Sequence, residues 1–141
     1  WSRMLSKKAG SRTRACMYGQ SLKTLHEGLV MCREIGDRRG EAAFLHNIAA
    51  THLVREDLTL AQSYFKQCLP ICDETGFQYI KLIALQNLGE LAIKKREFAK
   101  AQTFCEESLA ILRELHDPIN LAMTLSLLGV ALTEEGAPGA R

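Results

Sequence analysis

A repeat with a period of 40 residues is the feature that most constrains the fold of this chain. Residues 37–76 align with residues 77–116, and the matching positions are those that would form a core. The matching sets are Leu29, Leu69 and Leu109; Leu45, Leu85 and Leu125; Ile48, Leu88 and Leu128; Met31, Ile71 and Ile111; Ala49, Gly89 and Gly129; and Ser21, Ala61 and Ala101. Such a period is typical of stacked helical hairpins, which offer a binding surface rather than a catalytic pocket.

Apolar residues recur at helical spacing through most of the chain, and turn signals separate the runs. The pattern predicts helices over about 16–35, 37–55, 58–75, 78–95, 98–115 and 117–132. Asp37 is suited to cap the start of a helix, and Gly36 and Gly76 stand where helices should stop. Pro70 lies inside a predicted helix, but its neighbours one turn away are polar, which predicts a solvent-facing position for it.

The repeat defines the domain organisation. We expect one all-α repeat domain over residues 16–135 and a flexible tail over residues 136–141. Residues 1–15 are predicted to be a basic N-terminal arm or a degenerate helix, because five Lys and Arg residues stand there without an acid. Such an arm could contact phosphate or acidic lipid, or it could be a solvated tail.

Composition narrows the function classes. The formal net charge of +2 is too small to indicate a nucleic-acid partner. The uncharged apolar runs are shorter than the roughly 18–20 residues of a membrane span, and no secretory leader opens the chain. We therefore expect a cytoplasmic protein. Since position 1 is not Met and the repeat is incomplete, we also expect the chain to be part of a longer protein.

The polar residues give no catalytic pattern. The four histidines, His26, His46, His52 and His116, have no nucleophile or carboxylate at a recognisable spacing, and the phosphate-loop and HExxH motifs are absent from the sequence. We therefore expect no enzyme activity, no cofactor and no metal site.

The five cysteines are predicted to be reduced thiols. An odd number cannot pair fully, and all but Cys16 fall on apolar helical positions, where cysteine acts as a small apolar residue. The alternative is a zinc-responsive or redox-responsive switch through Cys32, Cys68 and Cys72. It lacks a histidine at the usual spacing.

Leu88 and Gly89, followed by Ala92, Ala101 and Cys105, resemble the signature of the tetratricopeptide (TPR) repeat. A second copy is carried by Ile48, Ala49, His52, Ala61 and Phe65, and a third copy begins at Leu128, Gly129 and Leu132. The resemblance is to the 40-residue variant of the family. It implies a right-handed superhelix (solenoid) of antiparallel helix pairs, with about two and a half repeats.

The resemblance also implies a function, that of a protein-binding scaffold or adaptor. In the family, the first helix of each pair lines a concave groove that takes a peptide or helix of a partner protein. Carried over to this chain, the groove residues are Ala43, His46, Asn47, Ala50, Leu53, Val54, Ile83, Gln86, Asn87, Glu90, Ile93, Lys94, Met123, Ser126, Leu127 and Val130.

Asn47 and Asn87 stand out within this set, because a carboxamide can pair with a peptide backbone through both a donor and an acceptor. The alternative is that each bonds its own helix or a nearby turn. Glu90 and Lys94, one turn apart, could select a charged ligand residue, or they could form a solvated pair.

Two further expectations concern the whole protein. The last predicted helix lacks a partner helix, so its apolar edge predicts either more repeats or self-association. A different function is also open, in which the repeats are the effector-binding arm of a larger ATPase-type transcription regulator. The identity of the partner does not follow from the sequence.

Overall fold

The computed structural model describes the backbone of residues 2–136 and the side chains of residues 17–136. The regular secondary structure of the described residues consists of helices without strands, which confirms the predicted all-α class. The helices are α1 (Ser2–Ile35), α2 (Arg38–Val54), α3 (Leu58–Thr75), α4 (Gln78–Lys94), α5 (Phe98–Leu115) and α6 (Pro118–Gly136). The last of them continues beyond its predicted end at Leu132.

The two ends of the chain are described only in part. The backbone of residues 2–15, expected as a basic arm or a degenerate helix, belongs to α1. The side chains of residues 1–16 and all of residues 137–141, most of the expected flexible tail, lie outside the described residues.

The 40-residue period recurs in the backbone where helices begin and end. The carboxylates of Asp37 and Asp117 each accept a hydrogen bond from the amide three residues on, at 2.9 and 3.1 Å. The residue before each of the equivalent positions 37, 77 and 117 has a left-handed backbone, with φ of 75° at Gly36, 73° at Gly76 and 50° at His116. Glycine adopts this conformation at little cost, which explains why it stands at two of the three sites.

The helices pack mainly against their neighbours in sequence. Each helix contacts the next, and the first helices of the pairs (α2, α4 and α6) also contact one another in order, α2 with α4 and α4 with α6. Within the described part of the chain, the second helices (α1, α3 and α5) make no such contacts with each other. The first helices therefore lie closer together than the second helices do.

The core follows the repeat in the middle of the chain and departs from it at both ends. Leu45 and Leu85 are buried, whereas Leu125, at the equivalent position of α6, is 50% exposed. Met31 of α1 is 64% exposed, whereas its equivalents are buried. The reason is geometric, because within residues 17–136 no helix covers the outer face of α1 or of α6. The predicted apolar edge on the last helix is therefore present.

Pro70 lies on the solvent face, as predicted. Helix α3 continues through it, and its ring is exposed. Because the missing backbone donor is on the outside of the helix, the buried face of α3 stays intact.

At one position the packing of α1 against α2 departs from the repeat. A Cβ atom added to Gly28 would lie 2.3 Å from the Phe44 ring. One period later the equivalent pair is Cys68 and Ala84, a larger residue on the second helix and a smaller one on the first. The larger side chain of the pair therefore lies on the first helix here and on the second helix one repeat later. Gly28 provides the space for Phe44.

An ion-pair network joins the first three helices. On α2, Arg38 contacts Glu41 at 2.7 Å and Glu74 of α3 at 2.7 Å, and Arg33 of α1 contacts Glu41 at 3.3 Å. Glu41 is buried, but both arginines are about half exposed. Solvent screening at the arginines limits what such pairs contribute, so their main effect is to fix the orientation of α1 and α3 about α2.

The glycines at 89 and 129 are not required by close packing. A Cβ atom on Gly89 would lie 3.7 Å from the Sγ atom of Cys105, an ordinary contact, and one on Gly129 would meet nothing within 4 Å. We therefore expect Gly89→Ala and Gly129→Ala each to raise the free energy of unfolding by about 0.5–1 kcal/mol, because alanine loses less backbone entropy in a helix. Urea unfolding of each variant measures this, and a loss of stability in Gly89→Ala would show that α4 and α5 are closer than described.

Candidate partner-binding surface

Two clefts lie along the first helices and include several of the predicted groove residues. We call the one between α1 and α2 the first cleft. It has a volume of about 390 Å³ and is lined by Tyr18, Ser21, Leu25, Asn47, Ala50, Thr51 and Val54. Three of the predicted residues, Asn47, Ala50 and Val54, therefore share a surface with side chains of α1.

The second cleft lies between α4 and α6, two neighbouring first helices. It has a volume of about 440 Å³ and is lined by Glu90, Ala122, Met123, Ser126 and Leu127. Four of these are predicted groove residues. Its wall is mainly apolar with one carboxylate at its edge, a composition suited to an apolar side chain of a ligand beside a polar or basic group.

The other predicted residues differ in accessibility. Exposed side chains are those of Lys94 and Val130, and half-buried ones are those of Ala43, Leu53, Ile83, Asn87 and Ile93. Glu90 and Lys94 are both exposed, and the ion pairs found among the described side chains do not include them. They are therefore accessible to a ligand as separate charges.

Gln86 is not accessible at this surface, which corrects its expected place on the groove wall. It is 6% exposed, and its amide nitrogen donates hydrogen bonds to the Thr124 hydroxyl at 3.0 Å and the Asn120 carbonyl at 3.2 Å. Both acceptors belong to α6. Gln86 thus joins two first helices and does not face solvent.

His46, the equivalent residue one repeat earlier, is half-buried. Its ring meets the Phe65 ring edge-on, with the ring centroids 5.6 Å apart, and its Nε2 atom is buried without a partner among the described residues. Burial lowers the pKa of His46, and the neighbouring Asn47 amide opposes this effect. The ring therefore remains neutral near pH 7 and acts mainly as a packing residue.

The two asparagines have different surroundings. Asn47 is exposed beside the first cleft, whereas Asn87 is half-buried on α4. Among the described side chains, no hydrogen bond occupies the Asn87 carboxamide. This amide lies three residues before Glu90 on α4, and with its donor and acceptor unused it is suited to pairing with a peptide backbone.

The remaining polar groups are arranged for packing. His52 is buried and stacks on Tyr64 with the ring planes 12° apart, and burial lowers its pKa. The Sγ atoms of Cys68 and Cys72 lie 3.7 Å apart, and their hydrogen bond together with burial raises the pKa of Cys68. Burial also raises the pKa of Cys105. The thiols of Cys68 and Cys105 are therefore held in their protonated, unreactive form.

No group of three metal-ligating side chains occurs in the described ranges, and no helix there is long and apolar enough to cross a membrane. Comparison of the sequence with protein-family models and with curated proteins finds no match in either set.

The sequence did not predict that side chains of α1 line the first cleft. Tyr18, Ser21 and Leu25 line the first cleft, although they belong to a second helix. The available signal was the repeat itself, because these positions match Leu58, Ala61 and Phe65, which would be buried under a first helix in a complete stack.

Proposed function

We propose that the chain is a helical repeat scaffold of the TPR type, which binds an extended or helical segment of a partner protein in a groove formed by α2, α4 and α6. The observation that carries the proposal is the side-by-side arrangement of the first helices. They contact one another in order, whereas the described second helices stay apart.

This difference in spacing supports a curved arrangement. When stacked pairs touch along one side and separate along the other, the touching side is the inner and shorter one. The first helices would then form the concave wall of a superhelix, and the second helices would form its convex surface.

The chemistry of the wall supports a peptide ligand. The second cleft offers an apolar surface from Met123 and Leu127 with the Glu90 carboxylate at its edge. The Asn87 amide lies on the neighbouring turn of α4. Such a wall would hold the apolar side chains of a segment while an amide pairs with its backbone.

The test is to select peptides from a random displayed library and to measure their affinity by fluorescence anisotropy at nanomolar protein concentration. We expect the double variant Asn47→Ala, Asn87→Ala to bind a selected peptide about 30-fold more weakly, since two net hydrogen bonds of about 1 kcal/mol each are lost. The single variants show which of the two amides is used.

Ser63→Ala, Thr103→Ala is a matched control, since these exposed polar residues are also 40 positions apart but lie on the second helices. It should bind the peptide as the native chain does. Equal binding by the asparagine variant and the native chain, or equal loss in the control, would contradict binding in the groove.

A further inference from the structure

The two ends of the described structure carry the two halves of an interface that the chain makes twice internally. In each internal case a first helix lies between two elements, its own second helix and the first helix that follows. Helix α2 contacts α3 and α4 in this way, and α4 contacts α5 and α6. We propose that the first cleft, between α1 and α2, binds α6 of a second copy of this chain, so that copies associate head to tail.

A shift of 40 residues takes α1 to α3 and α2 to α4. The first cleft, between α1 and α2, therefore corresponds to the place beside α3 and α4 where α2 packs. Shifted by 40 residues, Ser21 and Leu25 become Ala61 and Phe65, which are fully buried and form one core cluster with Ala49 of α2. In the cleft itself Ser21 is exposed and Leu25 only half-buried. The chain therefore has a binding position for a first helix that none of its own described helices fills.

Of the three first helices, α6 is the one whose corresponding face is left uncovered by the described residues. On α4, Leu85 shares a core cluster with Ile111 of α5, whereas on α6 the equivalent Leu125 is half exposed. The equivalent of Ile111 on α1 is Met31, which is 64% exposed. Leu125 of one copy and Met31 of the next would thus restore a contact that the chain already uses twice, the other instance being Leu45 with Ile71.

The sizes of the side chains at the two ends also match. Ala92 of α4 packs near the larger Phe104 of α5. At the equivalent positions the order is reversed, with Leu132 on α6 and Thr24 on α1. Beside Thr24 a shallow cleft of about 320 Å³, which also involves Ser21 and Leu25, offers room for the larger leucine.

Neither face carries a charge that docking would bury. The residues lining the first cleft are all uncharged, and so are Ala122, Leu125, Gly129 and Leu132 on α6. Association would therefore bury apolar surface without desolvating an ion, which favours the apolar face of α6 as occupant over a charged ligand.

An interface between two different faces of the same chain is heterologous. Each copy that binds through α6 still has a free first cleft, so association does not stop at a dimer unless the ring closes. We expect the mass of the native chain, measured by sedimentation equilibrium from micromolar to millimolar concentration, to rise beyond that of a dimer.

Charge variants at the two ends separate this arrangement from the alternatives. Leu125→Glu blocks the α6 face, and Met31→Glu blocks the α1 face. We expect each variant to remain monomeric alone, and an equimolar mixture to form a dimer and nothing larger, because one intact face of each kind remains. Val30→Glu is the control, since this exposed position has exposed equivalents at Pro70 and Ala110, and it should assemble as the native chain does. Circular dichroism checks that all variants are folded.

Several results would overturn the proposal. A native chain that stays monomeric would leave α6 and the first cleft to another protein or to further repeats. Continued self-association of Met31→Glu, with loss in Leu125→Glu, would indicate α6 packing against α6. A mixture that stays monomeric would exclude the head-to-tail contact. None of these results bears on peptide binding through Asn87. Asn47 lines the first cleft, but peptide binding is measured at nanomolar protein concentration, below the micromolar range in which association is tested, so the two proposals can fail separately.

Discussion

Replacing Phe65 by alanine is expected to lower the free energy of unfolding by about 3–5 kcal/mol, the usual cost of removing a buried phenylalanine ring. The side chain is fully buried on α3 and shares one core cluster with residues of α2 and α4. It also supports the His46 ring, whose centroid lies 5.6 Å away. One truncation therefore loosens three helices together. Urea unfolding followed by far-ultraviolet circular dichroism measures the loss.

Two further variants make this result interpretable. Phe65→Leu keeps most of the volume and should cost less than about 1.5 kcal/mol, so it reports on the site even where Phe65→Ala does not fold. Tyr79→Ala removes an aromatic ring that is 54% exposed and should change stability by about 0.5 kcal/mol at most. A similar loss at Phe65 and Tyr79 would contradict the described core.

Replacing Gly28 by alanine is expected to destabilise the chain by about 1–3 kcal/mol, the typical cost of overpacking. A Cβ atom at this position would lie 2.3 Å from the Phe44 ring. Gly19→Ala on the same helix is the control. Its Cβ atom would meet nothing within 4 Å. This substitution should therefore raise the free energy of unfolding by about 0.5–1 kcal/mol.

The sign of the Gly28 effect should depend on Phe44. In a Phe44→Ala background the obstructing ring is gone, and Gly28→Ala should then stabilise helix α1 by about 0.5–1 kcal/mol. A double-mutant cycle in urea measures this coupling directly. Additive effects of the two substitutions would show that α1 and α2 are not in contact at this position.

Much of the fold was predictable because it follows local rules. Helical spacing, the cap at Asp37 and the left-handed glycines at 36 and 76 depend on residues close in sequence, and the structure confirms them. The outward position of Pro70 followed from its polar neighbours. These features need no knowledge of what lies across the helix.

What the sequence did not predict depends on contacts between helices. Gln86 was expected on the groove wall because of its position in the repeat. It is buried instead, and its amide nitrogen donates a hydrogen bond to the Thr124 hydroxyl on α6. The Gly28 and Phe44 pair departs from the repeat on both helices at once, so neither residue alone signals it. The groove as a binding site remains a prediction.

The neighbour-to-neighbour packing has a consequence for how cooperatively the chain unfolds. Because each helix is held mainly by the helices next to it, the energy that opposes opening is greatest where neighbours exist on both sides and least at the two ends. Among the helices of residues 17–136, α1 and α6 each have an uncovered face, so within this part of the chain they would open before the rest. A thermal transition measured at one end of the chain thus reports a local equilibrium, whereas α3 and α4 in the middle report the opening of the whole domain.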